Sequence, residues 1–189
     1  MPFGPEPARR LTVHREALAA RLRETCRLTG TFVLRSGKTA EVYFDKYLFE
    51  SDPQLLRAVA ELAAPLIPEG TEVLAGLELG GVPVATALSL VTGIPQVLVR
   101  KQAKRYGTAR RAEGPDIAGR RVLVVEDVIT TGGQVVASTQ ALRTAGAQVD
   151  AVLCVVDRRP PGGAGEDLLS AAGLSALALF DLTVLEPMD

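Results

Sequence analysis

Residues 122–134 read VLVVEDVITTGGQ, an apolar run that ends in two adjacent acids and a turn rich in threonine and glycine. A continuous apolar run such as Val122 to Val125 is typical of a strand buried on both faces of a parallel sheet. In such sheets ligands bind beyond the carboxyl ends of the strands, so we expect Glu126 and Asp127 at the ligand-binding edge. Because neighbouring side chains on a strand point to opposite faces, the chain has to bend there for both acids to face one ligand.

The turn that follows, Thr130 to Gln134, has the composition of a phosphate-binding loop. Two hydroxyl groups and the open backbone N–H groups of two glycines precede a predicted helix, whose N-terminus attracts anions. The two acids are suited to accept hydrogen bonds from sugar hydroxyls and to stabilise a cationic sugar transition state. The alternative is that the turn only caps a helix and that the two acids are solvated. That alternative explains the threonines and glycines, but not the order of apolar strand, acid pair and turn. The stretch therefore predicts a ribose 5-phosphate site.

Outward from this stretch, the chain alternates apolar strands with helices. Strands are predicted at residues 72–78, 96–101, 121–127, 151–157 and 176–182, and helices at about 53–66, 81–91, 133–145 and 166–172. Residues 102–119 are polar and carry no periodicity. This alternation predicts an α/β fold, an open parallel twisted sheet flanked by helices.

A smaller N-terminal part precedes the alternating pattern. A helix is expected from Thr12 to about Leu28, where Gly30 ends it, and two extended segments, 31–36 and 41–46, are expected to form a hairpin. We interpret the 189 residues as one domain, too short for two comfortable cores. Its N-terminal helix and hood span about residues 12–50, and its α/β core spans about 53–182.

Composition narrows the class of protein. With 21 basic and 22 acidic residues the net charge is -1, so there is no overall attraction to nucleic acid or membrane. Cys26 and Cys154 lack the paired spacing of a metal or redox site and are expected as buried thiols, while the lone His14 is expected on the surface. No apolar run approaches the roughly 20 residues of a membrane span, and the first residues lack the apolar core of a signal peptide. A cytoplasmic location is expected.

Two further glycine-containing segments are candidates for phosphate binding. Ser36 to Thr39 reads like the end of a Walker A loop, but Phe32 stands where that motif needs glycine. The glycine turn at residues 76–81, GLELGG, does not spell a dinucleotide fingerprint. It still follows a predicted strand and opens a helix, so its backbone N–H groups can approach a phosphate. A tight turn with a purely structural role is the alternative.

These motifs, in their order along the chain, resemble those of the type I phosphoribosyltransferase family. VLVVEDVITTGG resembles the family's phosphoribosyl diphosphate motif, and the glycine turn is similar to its pyrophosphate loop. The similarity is greatest to the orotate-using members: RKQAK at residues 100–104 resembles their loop of cations, FVLRSGKTAEVYFDKYLF at 32–49 their hood, and VVDRR at 155–159 their Asp-Arg pair. The resemblance extends from about Glu16 to Leu182.

The resemblance implies an activity: transfer of ribose 5-phosphate from phosphoribosyl diphosphate to orotate, which gives orotidine 5'-phosphate and pyrophosphate in pyrimidine biosynthesis. It implies Mg²⁺ bound through the diphosphate and ribose, with no direct protein ligand. It also implies a homodimer with shared active sites, in which Lys101 or Lys104 reaches the neighbouring subunit. No nucleic-acid or membrane partner is implied.

The resemblance also assigns residues. Lys104, Arg100 and Lys101 would assist departure of pyrophosphate, and Glu126 and Asp127 would hold the ribose. The implied donor site consists of Arg35, Leu79, Gly80, Arg100, Lys101, Lys104, Tyr106, Glu126, Asp127, Val128, Ile129, Thr130, Thr131, Gly132, Gly133 and Gln134. The implied orotate site consists of Phe44, Asp45, Thr130 and Arg158, whose planar guanidinium suits a carboxylate.

Three positions depart from the family pattern, and two alternatives follow. Glu126 replaces a commoner aspartate, Tyr106 stands where some members carry histidine, and Gly80 stands where some carry lysine. One alternative is a phosphoribosyltransferase for another base. The other is a regulatory protein that senses phosphoribosyl diphosphate and binds nucleic acid. A local basic patch around Arg105 and Arg110 to Arg111 favours the regulatory protein, whereas the near-neutral charge argues against it.

Overall fold

The computed structural model describes residues 15–33, 37–102, 111–159 and 164–181, with the side chains of 164–167 left out. Within these ranges the chain forms one six-stranded sheet covered by helices and a separate two-stranded hairpin. In chain order the elements are α1 (Arg15–Cys26), β1 (Arg27–Val33), β2 (Thr39–Phe44), α2 (Tyr47–Ser51), α3 (Pro53–Ala63) with a 3-10 turn (Ala64–Leu66), β3 (Val73–Leu77), α4 (Gly81–Thr92), β4 (Gln96–Val99), β5 (Ala112–Glu113), β6 (Val122–Ile129), α5 (Gly133–Thr144), β7 (Ala151–Asp157), α6 (Ala164–Ala171) and β8 (Ser175–Asp181).

The large sheet has the strand order β5-β4-β3-β6-β7-β8. Five of its strands run parallel, which confirms the predicted parallel sheet. The sixth, β5, is antiparallel to β4 at one edge and was not predicted. Two residues within a polar segment carry no periodicity from which a strand could be inferred.

The strand order reverses at β3. From β3 the chain crosses to β4 on one side, and it then returns to place β6 on the other side of β3. At such a reversal the connections leaving the two central strands diverge, which opens a crevice at their carboxyl ends. The glycine turn after β3 and the acid pair of β6 therefore lie at the same crevice.

Two apolar layers hold the helices on the sheet. On one face α1, α3 and α4 bury Leu22, Leu55 and Leu88 completely. On the other face α5 and α6 bury Leu142 and Leu169. Each fully buried leucine contributes roughly 1.5–3 kcal/mol, so these layers fix the crevice as a rigid edge. Both free cysteines lie in the core, as predicted.

A short helix, α2, connects the hairpin to the core. Its Phe49 is fully buried, and Asp52 behind it caps α3 by accepting hydrogen bonds from the N–H groups of Gln54 and Leu55 at 2.8 and 3.1 Å. Pro53 occupies the first turn of α3, where it costs no hydrogen bond. The backbone around α2 is thereby fixed on both sides.

The predicted hairpin is confirmed, but its boundary with α1 was wrong. The helix ends at Cys26 rather than near Leu28, and Gly30 lies inside β1 instead of ending a helix. The reason is cross-strand pairing, because residues 27–29 align with residues 44–42 of β2. Thr12 and His14 lie outside the described residues. No helix within the described ranges has the length and apolar character that a membrane crossing requires.

Candidate active site

The acid pair lies within β6. That strand pairs with β3 only as far as Val125, so its last four residues continue alongside β7 beyond the end of β3. The N–H of Asp127 donates to Glu126 Oε1 at 3.1 Å, and the N–H of Val128 donates to Asp127 Oδ1 at 2.6 Å. Both carboxyl groups thus contact their own backbone, and both are buried, with exposures of 7% and 0%.

Two residues not predicted from the sequence complete an acid cluster around Asp127. Lys46, just before α2, places its Nζ 2.5 Å from Asp127 Oδ2. Glu50 of α2 faces the same carboxylate from the glycine-turn side, since a Cβ built at Gly80 would lie 2.6 Å from Glu50 Oε1 and would overlap Asp127 Oδ2. We use "acid cluster" for Glu50, Glu126 and Asp127, with Lys46 as the cation paired to it.

Burial and mutual proximity separate the protonation states of the cluster. Burial, together with the neighbouring Asp127, raises the pKa of Glu126 and that of Glu50 to about 9. Burial opposes ionisation of Asp127 too, but hydrogen bonds from the two glutamic acids and the Lys46 charge hold its pKa below the ordinary value. Burial also opposes the Lys46 charge, yet Asp127 raises the Lys46 pKa overall. At neutral pH the cluster therefore contains one ion pair and two neutral acids.

The glycine turn packs against the acid-bearing strand. A Cβ at Gly81 would overlap the carbonyl oxygen of Val125, so only glycine permits this approach of α4 to β6. Leu79 is 59% exposed, while Gly80 and Gly81 are buried. The peptide bond between Glu78 and Leu79 is cis. The Glu78 carboxylate accepts a hydrogen bond from the N–H of Lys101 at 2.8 Å, which ties the turn to the segment after β4.

The turn after β6 presents an open helix N-terminus. Thr130, Thr131, Gly133 and Gln134 are exposed, and Gly132 takes a left-handed conformation with φ 79°. Among the described residues no side chain caps α5, so the first N–H groups of this 12-residue helix are open to an anion. Val128 and Ile129, the last residues of β6, lead directly into the turn.

The predicted cation segment is described only at its ends. Arg100 Nε pairs with Glu113 Oε1 at 3.1 Å, and Lys101 is exposed. The N–H of Arg100 donates to the Arg111 carbonyl at 2.9 Å, and Arg111 Nε donates back to the Arg100 carbonyl at 2.9 Å. Arg100 and Arg111, which lie at the two ends of the segment, are thus joined by two hydrogen bonds. Lys104, Tyr106, Arg105 and Arg110 lie outside the described residues, as does Arg35.

The residues predicted for the base lie on two separate parts of the chain, after β7 and at the end of β2. The N–H of Arg158 donates to the Ile129 carbonyl at 2.8 Å, which places this exposed arginine beside the start of the phosphate turn. Arg159, by contrast, pairs with Asp157 at 2.6 Å. Phe44 is half-buried at the end of β2, and the Asp45 carboxylate accepts the N–H of Tyr47 at 3.1 Å.

The chemistry available here is anion and sugar binding. Within the described ranges no group of three or more His, Cys, Asp or Glu side chains has the arrangement of a metal site. The acid cluster is already paired with an ammonium group, and the open N–H groups of α5 lie at the end of the same strand. Lys46 and Glu50 escaped sequence analysis because their i, i+4 spacing in KYLFE looks like an ordinary exposed helix pair.

Comparisons with known proteins converge on one family. Residues 49–167 match the family model of the phosphoribosyl transferase domain. The chain is 60% identical over 157 residues to the orotate phosphoribosyltransferase of Nocardioides sp.. The aligned residues make up 83% of this chain and 86% of that protein.

Solved structures give the same result. The crystal structure of Mycobacterium tuberculosis orotate phosphoribosyltransferase in complex with Fe(III) dicitrate superposes with a TM-score of 0.80 at 35% identity, covering 92% of this chain and 99% of that one. The same enzyme in complex with 5-phospho-alpha-D-ribosyl 1-diphosphate gives a TM-score of 0.76 at 32% identity, covering 90% and 98%.

Proposed function

The chain belongs to the phosphoribosyltransferase family, and on that premise we propose that it is an orotate phosphoribosyltransferase. It transfers ribose 5-phosphate from phosphoribosyl diphosphate to orotate and releases pyrophosphate. The observation that carries the donor assignment is that β6 brings a buried acid pair and an uncapped helix N-terminus to one crevice. The base assignment follows the relatives, which are orotate enzymes at up to 60% identity over most of the chain.

Donor binding is divided between the two parts of the β6 stretch. The N–H groups at the start of α5, with the Thr130 and Thr131 hydroxyls, bind the 5-phosphate, since helix N-termini favour phosphate. Glu126 and Asp127 accept hydrogen bonds from the ribose hydroxyls, and the ionised Asp127 stabilises positive charge on the sugar as the bond at C1 breaks. Val128 and Ile129 set the distance between the two groups, because the strand that contains them is fixed by pairing with β7.

The leaving group is bound from the other side of the crevice. The glycine turn, with Leu79 and Gly80, offers backbone rather than side chains to the diphosphate. Arg100, Lys101 and Lys104 neutralise charge that develops on pyrophosphate as it departs, and Arg35 and Tyr106 complete the donor contacts. The hydrogen bond between Lys101 and Glu78 supports this, because it joins the cation segment to the glycine turn.

Magnesium would be bound through the diphosphate and ribose of the donor, with no direct protein ligand. We would expect the ion on diphosphate and ribose oxygens and not on protein side chains, because Asp127 is occupied by Lys46 and, once the donor binds, by the ribose hydroxyls. When bound, Mg²⁺ neutralises and orients the diphosphate. The protein's part is to hold the ribose, whose hydroxyls donate hydrogen bonds to Glu126 and Asp127.

Orotate is selected by a cation and a half-buried ring. Arg158 binds its carboxylate, for which a guanidinium offers two parallel donors. Phe44 and Asp45 lie against the pyrimidine, and Thr130 contacts both base and donor. The exposure of Arg158 supports this assignment over Arg159, whose guanidinium is paired with Asp157.

The enzyme is further proposed to act as a cytoplasmic homodimer with shared active sites, free of nucleic-acid and membrane partners. The family resemblance of the cation segment supports this, because in that arrangement Lys101 or Lys104 serves the neighbouring subunit's site.

One assay tests the function. The protein is incubated with Mg²⁺, phosphoribosyl diphosphate and, separately, orotate, uracil, adenine, hypoxanthine or nicotinate, and pyrophosphate release is measured. We expect pyrophosphate release in the incubation with orotate and in none of the others. Release with a different base would reassign the acceptor. Absence of release with every base, together with salt-sensitive nucleic-acid binding, would favour a regulatory protein.

A further inference from the structure

Lys46 covers the acid that the proposed function assigns to ribose. Asp127 has no exposed surface: its Oδ1 accepts the N–H of Val128 at 2.6 Å, and its Oδ2 lies 2.5 Å from Lys46 Nζ. Gly80 lies against the same oxygen. A ribose hydroxyl therefore cannot reach Asp127 while these groups stay where they are. One of them has to move when the donor binds.

Of these groups, the Lys46 ammonium has the most freedom to move. Its side chain is 32% exposed, whereas Gly80 is held in the turn before α4 and Val128 is paired within β6. The backbone at position 46 is fixed by the buried Phe49 and by the cap at Asp52. A lysine has four methylene groups between backbone and charge, so its ammonium can shift by several ångströms without any change in the fold.

The donor supplies a competing partner for that ammonium. Lys46 keeps its positive charge, because Asp127 raises its pKa despite partial burial. A phosphoribosyl diphosphate brings several negative oxygens into the same crevice, and charge-assisted hydrogen bonds to phosphate match those to carboxylate. Among the described residues, the glycine turn contributes no cation at this point, since Gly80 and Gly81 face the acid cluster with backbone alone.

We propose that Lys46 is a donor-binding residue whose ammonium moves from Asp127 Oδ2 to an anionic oxygen of phosphoribosyl diphosphate, uncovering Asp127 for the ribose hydroxyls. No bond is made or broken in this step; one ion pair replaces another. The inference rests on the proposed function, since it needs that donor in the crevice.

Substitutions at Lys46 test the exchange. Lys46→Met should weaken binding of Mg²⁺-phosphoribosyl diphosphate, measured by calorimetry without orotate, by about 10-fold or more, the loss of one charge-assisted contact. The KM for orotate should change by less than about 2-fold, because the Lys46 ammonium contacts the ribose-binding Asp127 and not a side chain assigned to the base. Lys46→Arg keeps the charge and should remain within about 3-fold of wild type. Arg57→Met, which removes an exposed cation on α3, is the matched control and should leave donor affinity unchanged.

A second background separates donor binding from mere neutralisation of Asp127. In Asp127→Asn protein the buried charge is gone, so Lys46→Met leaves no unpaired carboxylate there and folding is preserved. Donor affinity is still expected to fall by about 5-fold or more when Lys46→Met is added. Equal affinities with and without that change would overturn the proposal. If wild-type protein fails to bind the donor at all, the proposed function fails; if wild type binds it and Lys46→Met binds it equally well, the Lys46 inference alone fails.

Discussion

Gly80 lies directly on the carboxylate of Asp127, so that a methyl group at position 80 would overlap Oδ2. The backbone there is ordinary, with φ -70° and ψ -27°, so alanine is excluded by crowding and not by conformation. We expect Gly80→Ala to displace the acid cluster and to lower kcat/KM for phosphoribosyl diphosphate by about 10-fold or more, since misplaced groups cost catalysis steeply. Steady-state kinetics with varied donor measures this.

The control for this prediction is Gly93, a glycine that is required for its backbone conformation and not for lack of space. Gly93 ends α4 with φ 77°, and a Cβ there would meet nothing within 4 Å. Gly93→Ala should therefore cost about 1 kcal/mol of stability through its left-handed backbone and leave kcat/KM unchanged. Equal effects of the two substitutions on activity would show that crowding at position 80 is not the cause.

Asp127→Asn is expected to impair turnover far more than folding. Removing the charge that faces the cationic sugar should lower kcat by about 100-fold or more. Stability should fall by no more than about 2 kcal/mol, because the partly exposed Lys46 can turn toward solvent. Urea unfolding and kinetics of the same sample check both numbers. A stability loss large enough to account for the lost activity would make the acids structural.

The raised pKa of Glu50 predicts a pH-dependent stability. In the folded protein Glu50 holds its proton up to a pKa of about 9, whereas the unfolded chain releases it near the ordinary value. The contribution of this group is thus complete in acid below the unfolded pKa and is lost as pH rises toward 9. Between pH 6 and 8 the free energy of unfolding should fall, with Glu50 contributing up to about 1.4 kcal/mol per pH unit.

Glu50→Gln removes that contribution. Urea unfolding at pH 6, 7 and 8 should show a weaker pH dependence in this variant than in wild type. Glu69→Gln, a matched change at an exposed position, should keep the wild-type dependence. Identical slopes in all three proteins would mean that Glu50 is ionised in the folded state.

Arg158→Ala should affect the base and not the donor. Losing a two-donor contact to the orotate carboxylate should raise the KM for orotate by about 10-fold or more, with the KM for phosphoribosyl diphosphate nearly constant. Arg120→Ala is the matched control, because Arg120 is an exposed arginine preceding the amino end of β6, at the opposite edge of the sheet. An unchanged KM for orotate in Arg158→Ala would remove this residue from the base site.

Shared active sites predict complementation between defective chains. Lys104→Ala and Asp127→Asn proteins are each expected to be nearly inactive. After mixing and subunit exchange, activity should return to a measurable fraction of wild type, because one site per mixed dimer then contains both native residues. Mixtures that stay as inactive as the separate variants would show that each chain completes its own site.

Sequence patterns predicted the parts of the fold that depend on local periodicity. The apolar strands and their connecting helices appear where the alternation placed them, the hairpin forms with both strands shifted toward the N-terminus, and the acids of β6 lie at the predicted edge. Strand β5 and helix α2 were missed because each is shorter than the window over which periodicity is measurable. Lys46 and Glu50 were missed for another reason: their partner Asp127 lies about 80 positions away, and only the strand order brings them together.

The reciprocal hydrogen bonds between Arg100 and Arg111, reinforced by Arg100 and Glu113, have a consequence for how this protein can change. They hold Arg100 and Arg111, and so the two ends of the chain between them, at neighbouring positions beside the sheet. Closing a loop of any moderate length between fixed ends costs little, since doubling it adds only about 0.6 kcal/mol. Insertions, deletions and exchanges in this stretch are therefore tolerated by the scaffold. The proposed cation segment can thus vary in length and sequence while the acid cluster and the helix N-terminus beside it stay the same.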